Sequence, residues 1–133
     1  MSAWVRWLPA ALWGALILVL STRSETFFFA AAQSTYYRVI HYYLEIIVHL
    51  VEFCVFFLLV AWPLRFQTRP WGAVIGRAFG AVLVLSLLNE SIQAYTPTRM
   101  FDVGDMTVDV LGGAIGVLLC RSQTANEHIK VKS

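Results

Sequence analysis

Four ionisable residues, His41, Glu45, His49 and Glu52, recur at i, i+4, i+8 and i+11 in an otherwise apolar stretch. At about 100° per helical residue they fall within roughly 80° of one helix face. A second group follows later in the chain. Asn89-Glu90-Ser91-Ile92-Gln93 puts Glu90 and Gln93 one turn apart on a shared face. Beyond Tyr95-Thr96-Pro97-Thr98 come Arg99, Asp102, Asp105 and Asp109, the three aspartates again on one helical face. Gly112 and Gly116 continue that face as a small-xxx-small surface, which lets a second helix approach closely and marks them as packing residues.

Imidazoles and carboxylates at this density suit three kinds of chemistry. Acid–base catalysis would use His49 with Glu52 or Glu90, the candidate catalytic residues. Ser91 is the only nearby hydroxyl at that helix end, so no nucleophile stands out. Cation binding would draw on His49, Glu90, Asp105 and Asp109, because carboxylate oxygens suit hard divalent cations and imidazole suits zinc or manganese. Recognition of a polar ligand would use the whole set: His49, Glu52, Glu90, Gln93, Arg99, Asp102, Asp105 and Asp109. Structural readings stand beside these. His41 and Glu45 can be solvated near an interface, His49 and Glu52 can form a hydrogen-bonded pair, and the Glu90-to-Asp109 segment can clamp two helices with Arg99 neutralising part of the acid.

These residues become informative once the elements carrying them are considered. Of 133 residues, 59% are hydrophobic and 14% charged, and the mean hydropathy is +0.67. A soluble domain carries about a quarter charged residues. A soluble enzyme and a disordered tail are excluded on that ground. A net charge of +2 is too small and scattered for nucleic-acid binding. A transmembrane helix needs about 20 apolar residues, and four stretches qualify: residues 4–20, 39–62, 71–88 and 103–120. The expected architecture is an all-α membrane bundle of four transmembrane helices, with room for a short interfacial helix in the first outer loop. Residues 1–121 form one membrane domain, and residues 122–133 a polar, mobile cytoplasmic tail.

The first span is read as retained, because the break at Ser21-Thr22-Arg23-Ser24-Glu25 separates it from the small residues Ala30-Ala31-Ala32, whereas a signal peptide is cut directly after its apolar region. Cys54 and Cys120 lie in apolar runs and read as free thiols. Arg6, Arg65, Arg69, Arg77, Arg121, Lys130 and Lys132 fall on one side of a four-helix path, leaving Arg23, Arg38 and Arg99 on the other. The positive-inside rule then puts both termini in the cytoplasm. Trp4, Trp7, Trp62 and Trp71 mark the inner interface and Tyr36, Tyr37, Tyr42, Tyr43 and Tyr95 the outer one. The polar faces share one depth and converge on an outward site. Charge at mid-bilayer costs about 2.5–3.5 kcal/mol per group on insertion scales, so these groups face the bundle interior and each demands a reason.

The ordered residues Asn89, Glu90, Gln93, Pro97, Arg99, Asp102, Asp105, Asp109, Gly112 and Gly116 resemble the VanZ-like family of small bacterial membrane proteins. His49-Leu50-Val51-Glu52-Phe53 is similar to the family's His-x-x-Glu-aromatic element, and the likeness covers residues 46–118. Family members often carry Asp where this chain has Asn89 and Asn where it has Asp109, and a lysine commonly precedes the family histidine where Glu45-Ile46-Ile47-Val48 stands here. The family takes its name from a protein associated with low-level teicoplanin resistance. The resemblance therefore implies the bacterial inner membrane and the cell envelope.

The expected function is binding of a lipid or glycan head group in the outward polar pocket, with a divalent cation as a candidate bridge. Membrane lipids and lipid-linked envelope intermediates are the expected partners, and an oligomer is compatible with the sequence. The alternatives are a membrane enzyme acting on a phosphate or glycosyl bond of a lipid-linked molecule, and a non-catalytic accessory subunit. Four short spans without a repeat leave little room for a transporter's alternating access.

Overall fold

The computed structural model describes residues 3–22, 35–67, 70–96 and 101–132, with side chains for all of these except residues 3, 35–38 and 122–132. Arg99 and the interfacial helix considered for the first loop lie outside the described residues. A 3-10 turn over Ala3–Trp7 leads into α1 (Leu8–Ser21), followed by α2 (Thr35–Gln67), α3 (Trp71–Ala94) and α4 (Val103–Lys132). All four helices are long and apolar enough to cross a membrane, over Trp4–Ser21, Val39–Gln67, Trp71–Ala94 and Val103–Arg121. The described residues contain no strand. The protein is an all-α, multi-pass membrane protein.

Local chemistry sets the helix limits. Pro9 stands in the first turn of α1, where its missing N–H costs nothing. The Pro70 carbonyl accepts from the amides of Ala73 and Val74 and opens α3. Asp102 caps α4, its Oδ1 accepting from the Gly104 amide at 2.6 Å. The third helix reaches Ala94, past the apolar stretch that ends near residue 88, because its polar end Asn89–Gln93 remains helical and buried on one face. The last helix runs on to Lys132 through residues the sequence reads as a tail. That stretch contains neither glycine nor proline to stop it.

Neighbouring helices alternate in direction. At one end Arg6, ahead of α1, places its guanidinium 4.4 Å from the ring of Phe66 near the end of α2. At the other end Ser21, closing α1, hydrogen-bonds to Asn89 near the end of α3. The central helix is α2, which meets all three others and α4 most extensively, whereas α1 packs on α2 and α3 alone. The apolar core runs through Phe53, Phe56, Phe57, Val60, Ala61 and Leu64 of α2, Val74, Ala78, Val82 and Leu85 of α3, and Ala10 and Ile17 of α1. Leucines, valines and isoleucines such as Leu12, Leu16, Ile47, Val51, Val84, Leu87 and Leu118 point outward. In a bilayer that surface meets acyl chains.

Lipid tails are as apolar as leucine, so close backbone packing must replace the hydrophobic drive between helices. Two glycines of α4 supply it. A Cβ on Gly112 would stand 2.6 Å from the backbone oxygen of Leu50, and one on Gly116 would stand 2.6 Å from the ring of Phe57. These two positions set how closely α4 lies on α2.

Candidate functional site

The buried polar side chains among the described residues are Ser21, His49, Ser86, Asn89, Glu90, Gln93 and Asp109. All belong to the half of the bundle where α1 and α3 end and α2 and α4 begin. The helical repeat explains how each helix contributes. On α2, His41, Glu45, His49 and Glu52 share a face. On α3, Ser86, Glu90 and Gln93 stand at i, i+4 and i+7. On α4, Asp105 and Asp109 are one turn apart.

Their centre is a chain of contacts linking three helices. His49 Nδ1 lies 2.8 Å from Asp109 Oδ1, the histidine nearly buried and the aspartate wholly so. Ser86 Oγ donates to the other oxygen, Asp109 Oδ2, at 2.7 Å. Asp109 thus has both oxygens engaged, and the imidazole is held with Nε2 as its remaining nitrogen. The ring also stacks on Phe53 one turn along, with centroids 6.5 Å apart and planes inclined by 17°. An imidazole held by a carboxylate on one nitrogen is prepared to act through the other, as acid, base or ligand.

Towards the end of the bundle, Glu45, His49 and Asp105 form a second group. One carboxylate oxygen from each acid and one ring nitrogen of His49 all lie within 4.8 Å of one another. Glu45 and Asp105 are half-buried. Glu90 is fully buried and has divided roles: Oε2 accepts from the Asp102 backbone amide at 2.9 Å, while Oε1 has no hydrogen-bond partner among the described residues. An unpartnered buried acceptor costs about 1–3 kcal/mol or more when charged.

The other sequence candidates take distinct places. Asp102 is exposed and caps α4. Gln93 is buried on the Glu90 face. Glu52 is half-buried, and its backbone carbonyl accepts from Trp13 Nε1 at 3.0 Å. His41 is half-buried. Gly112 and Gly116 lie in the α2–α4 contact. Of the cation candidates, His49 and Asp105 meet in one group with Glu45. Asp109 sits behind the imidazole, and Glu90 ties α3 to the start of α4.

Three participants are not singled out by the sequence. Ser86 belongs to no motif there, although the i+4 rule that selects Glu90 and Gln93 also selects it. Ser21 was read only as part of a polar break. Trp13 carried no pattern, because its partner is a backbone carbonyl.

A family model described as VanZ/LLP1 matches residues 6–125. That match reaches all four apolar spans and covers α1, which the resemblance over residues 46–118 left out. No curated protein and no solved structure matches the chain.

Proposed function

The chain belongs to the VanZ/LLP1 family, and from that premise we propose that its polar end binds the head group of a lipid or lipid-linked glycan in the bacterial envelope. The observation that carries this reading is Glu90, wholly buried with Oε1 unpartnered among the described residues. A buried carboxylate oxygen needs a hydrogen-bond donor or a cation. Sugar hydroxyls, ethanolamine ammonium groups and metal ions are all suitable, whereas acyl chains are not. Half-buried Glu45 and Asp105 and exposed Asp102 extend the acid from Glu90 towards the bundle end, a gradient suited to a ligand entering from the membrane surface. The lysine and arginine distribution turns this end away from the cytoplasm. Reporter fusions at Gln67 and Ser133 are then expected to read cytoplasmic and one at Ser24 external, and a cytoplasmic result at Ser24 removes the outward placement.

Mass spectrometry of lipids retained by the detergent-purified chain tests the binding. Wild type is expected to retain a head-group class that Glu90→Gln loses while its helical content is preserved. Identical lipids in both proteins would refute the reading.

A hydrolytic reading draws on the His49–Asp109 contact, which has the form of a carboxylate-oriented general base. The described serines nearby are committed elsewhere, Ser86 to Asp109 and Ser91 to the Leu87 carbonyl. Water would therefore have to serve as nucleophile. Turnover of a retained lipid by wild type but not by His49→Gln would select this reading over simple binding.

A further inference from the structure

We propose that Glu45, His49 and Asp105 hold a divalent first-row transition ion, Mn2+ or Zn2+, at the α2–α4 seam, with Asp109 behind the imidazole as its orienting carboxylate. As a bridge to a head group this ion rests on the reading above. As an ion site it stands on the geometry.

The donor set comes first. Donors bound at about 2.1 Å on opposite sides of one ion stand about 4.2 Å apart. The three candidate atoms already lie within 4.8 Å of one another, so small side-chain rotations close the shell. Glu45 and His49 are one turn apart on α2, and Asp105 comes from the facing helix. The site therefore exists only where the two helices pack.

The histidine geometry points the same way. Metal-bound imidazoles almost always give their second nitrogen to a carboxylate or carbonyl, which sets tautomer and ring orientation. His49 Nδ1 meets Asp109 Oδ1 at 2.8 Å, and Ser86 secures Asp109 from the far side at 2.7 Å. Nε2 is the nitrogen left for an ion.

A separate observation comes from α3. Glu90 is wholly buried, and among the described residues its Oε1 has no partner; it stands one turn along α3 from Ser86, which contacts Asp109 at 2.7 Å. A divalent ion at the seam is the simplest counter-charge for a buried acid on the neighbouring helix. One imidazole with two or three carboxylates matches manganese and zinc. Magnesium, which prefers oxygen alone, fits less well.

The test uses the full chain in detergent, stripped with a chelator and titrated separately with Mn2+, Zn2+ and Mg2+, bound metal being counted by mass spectrometry. The expected result is a stoichiometric Mn2+ or Zn2+ with Mg2+ bound about tenfold or more weakly. Pulsed EPR of the wild-type Mn2+ complex is expected to show imidazole nitrogen coupling, a readout that needs no variant. Asp105→Asn and Glu45→Gln are expected to lose affinity by about 100-fold, and Asp109→Asn by about 10–100-fold. Ser91→Ala, whose hydroxyl bonds only its own helix, is expected to bind as wild type. Absence of a stoichiometric ion, Mg2+ bound as tightly as Mn2+, or bound Mn2+ without nitrogen coupling each overturns the proposal. A stripped protein that retains its head group but takes up no ion sinks this inference alone. A stoichiometric ion with no retained head group sinks the head-group reading and leaves the ion site standing.

Discussion

The two halves of the bundle use the same helices in opposite ways. In the half containing Phe53, Phe57, Val60 and Val74, buried side chains are apolar and satisfied by contact. In the other half, His49, Ser86, Glu90 and Asp109 are buried just as deeply, but they are satisfied through hydrogen bonds, incompletely at Glu90. Ion pairs and polar networks in low dielectric return little net stability, because desolvation offsets their attraction. The difference teaches that the apolar half and the glycine seam hold the fold, while the polar half is a site carried by it.

That division can be broken by substitution, and the largest effect belongs to the seam. Gly112→Leu must force α4 away from α2, since the first side-chain atom already meets the Leu50 backbone at 2.6 Å. Loss of the monodisperse folded peak in size-exclusion chromatography is expected, and a native-like elution profile would show that the seam does not determine the packing. Phe57→Ala follows. Lipid removes most of the transfer term but leaves the cavity term, so a loss of about 2–3 kcal/mol is expected in a denaturant titration.

The sharpest contrast comes from the polar half. Asp109→Leu, together with His49→Leu and Ser86→Ala, replaces the buried network by apolar groups and strands none of its members. Neutral to increased stability, up to about 1–4 kcal/mol, is expected, with loss of the retained head group. A fall in melting temperature matching Phe57→Ala would make the polar half structural and dissolve the comparison. The smallest effect is Trp13→Phe, which removes one hydrogen bond to the Glu52 carbonyl. About 0.5–1.5 kcal/mol of stability should disappear, without any change in ligand retention.

Much of this organisation is local and was therefore legible. Four apolar stretches predict four helices, because a polar backbone in hydrocarbon has to satisfy itself within its own segment. A repeat near 3.6 residues places His49 with Glu45, Glu90 with Gln93, and Asp105 with Asp109 on common faces before any contact is known. The same rule reaches Ser86. It does not reach Trp13, whose bond goes to a carbonyl on another helix and depends on no side-chain pattern.

Which face meets which was decided by tertiary structure. His49 and Asp109 are 60 residues apart, and their contact depends on the rotation and axial offset of α4 against α2. Gly112 at Leu50 and Gly116 at Phe57 determine that offset by close packing. It makes Asp109 the support behind the imidazole and brings Glu45, for which the sequence also allowed a solvated place near the interface, together with Asp105. The sequence by itself determined the helices and the side of each that carries its acids and histidines, because those depend on neighbours a turn away. The partners of those groups required the packed bundle, since a shift of one turn in α4 would present different residues to His49 while leaving every local pattern unchanged.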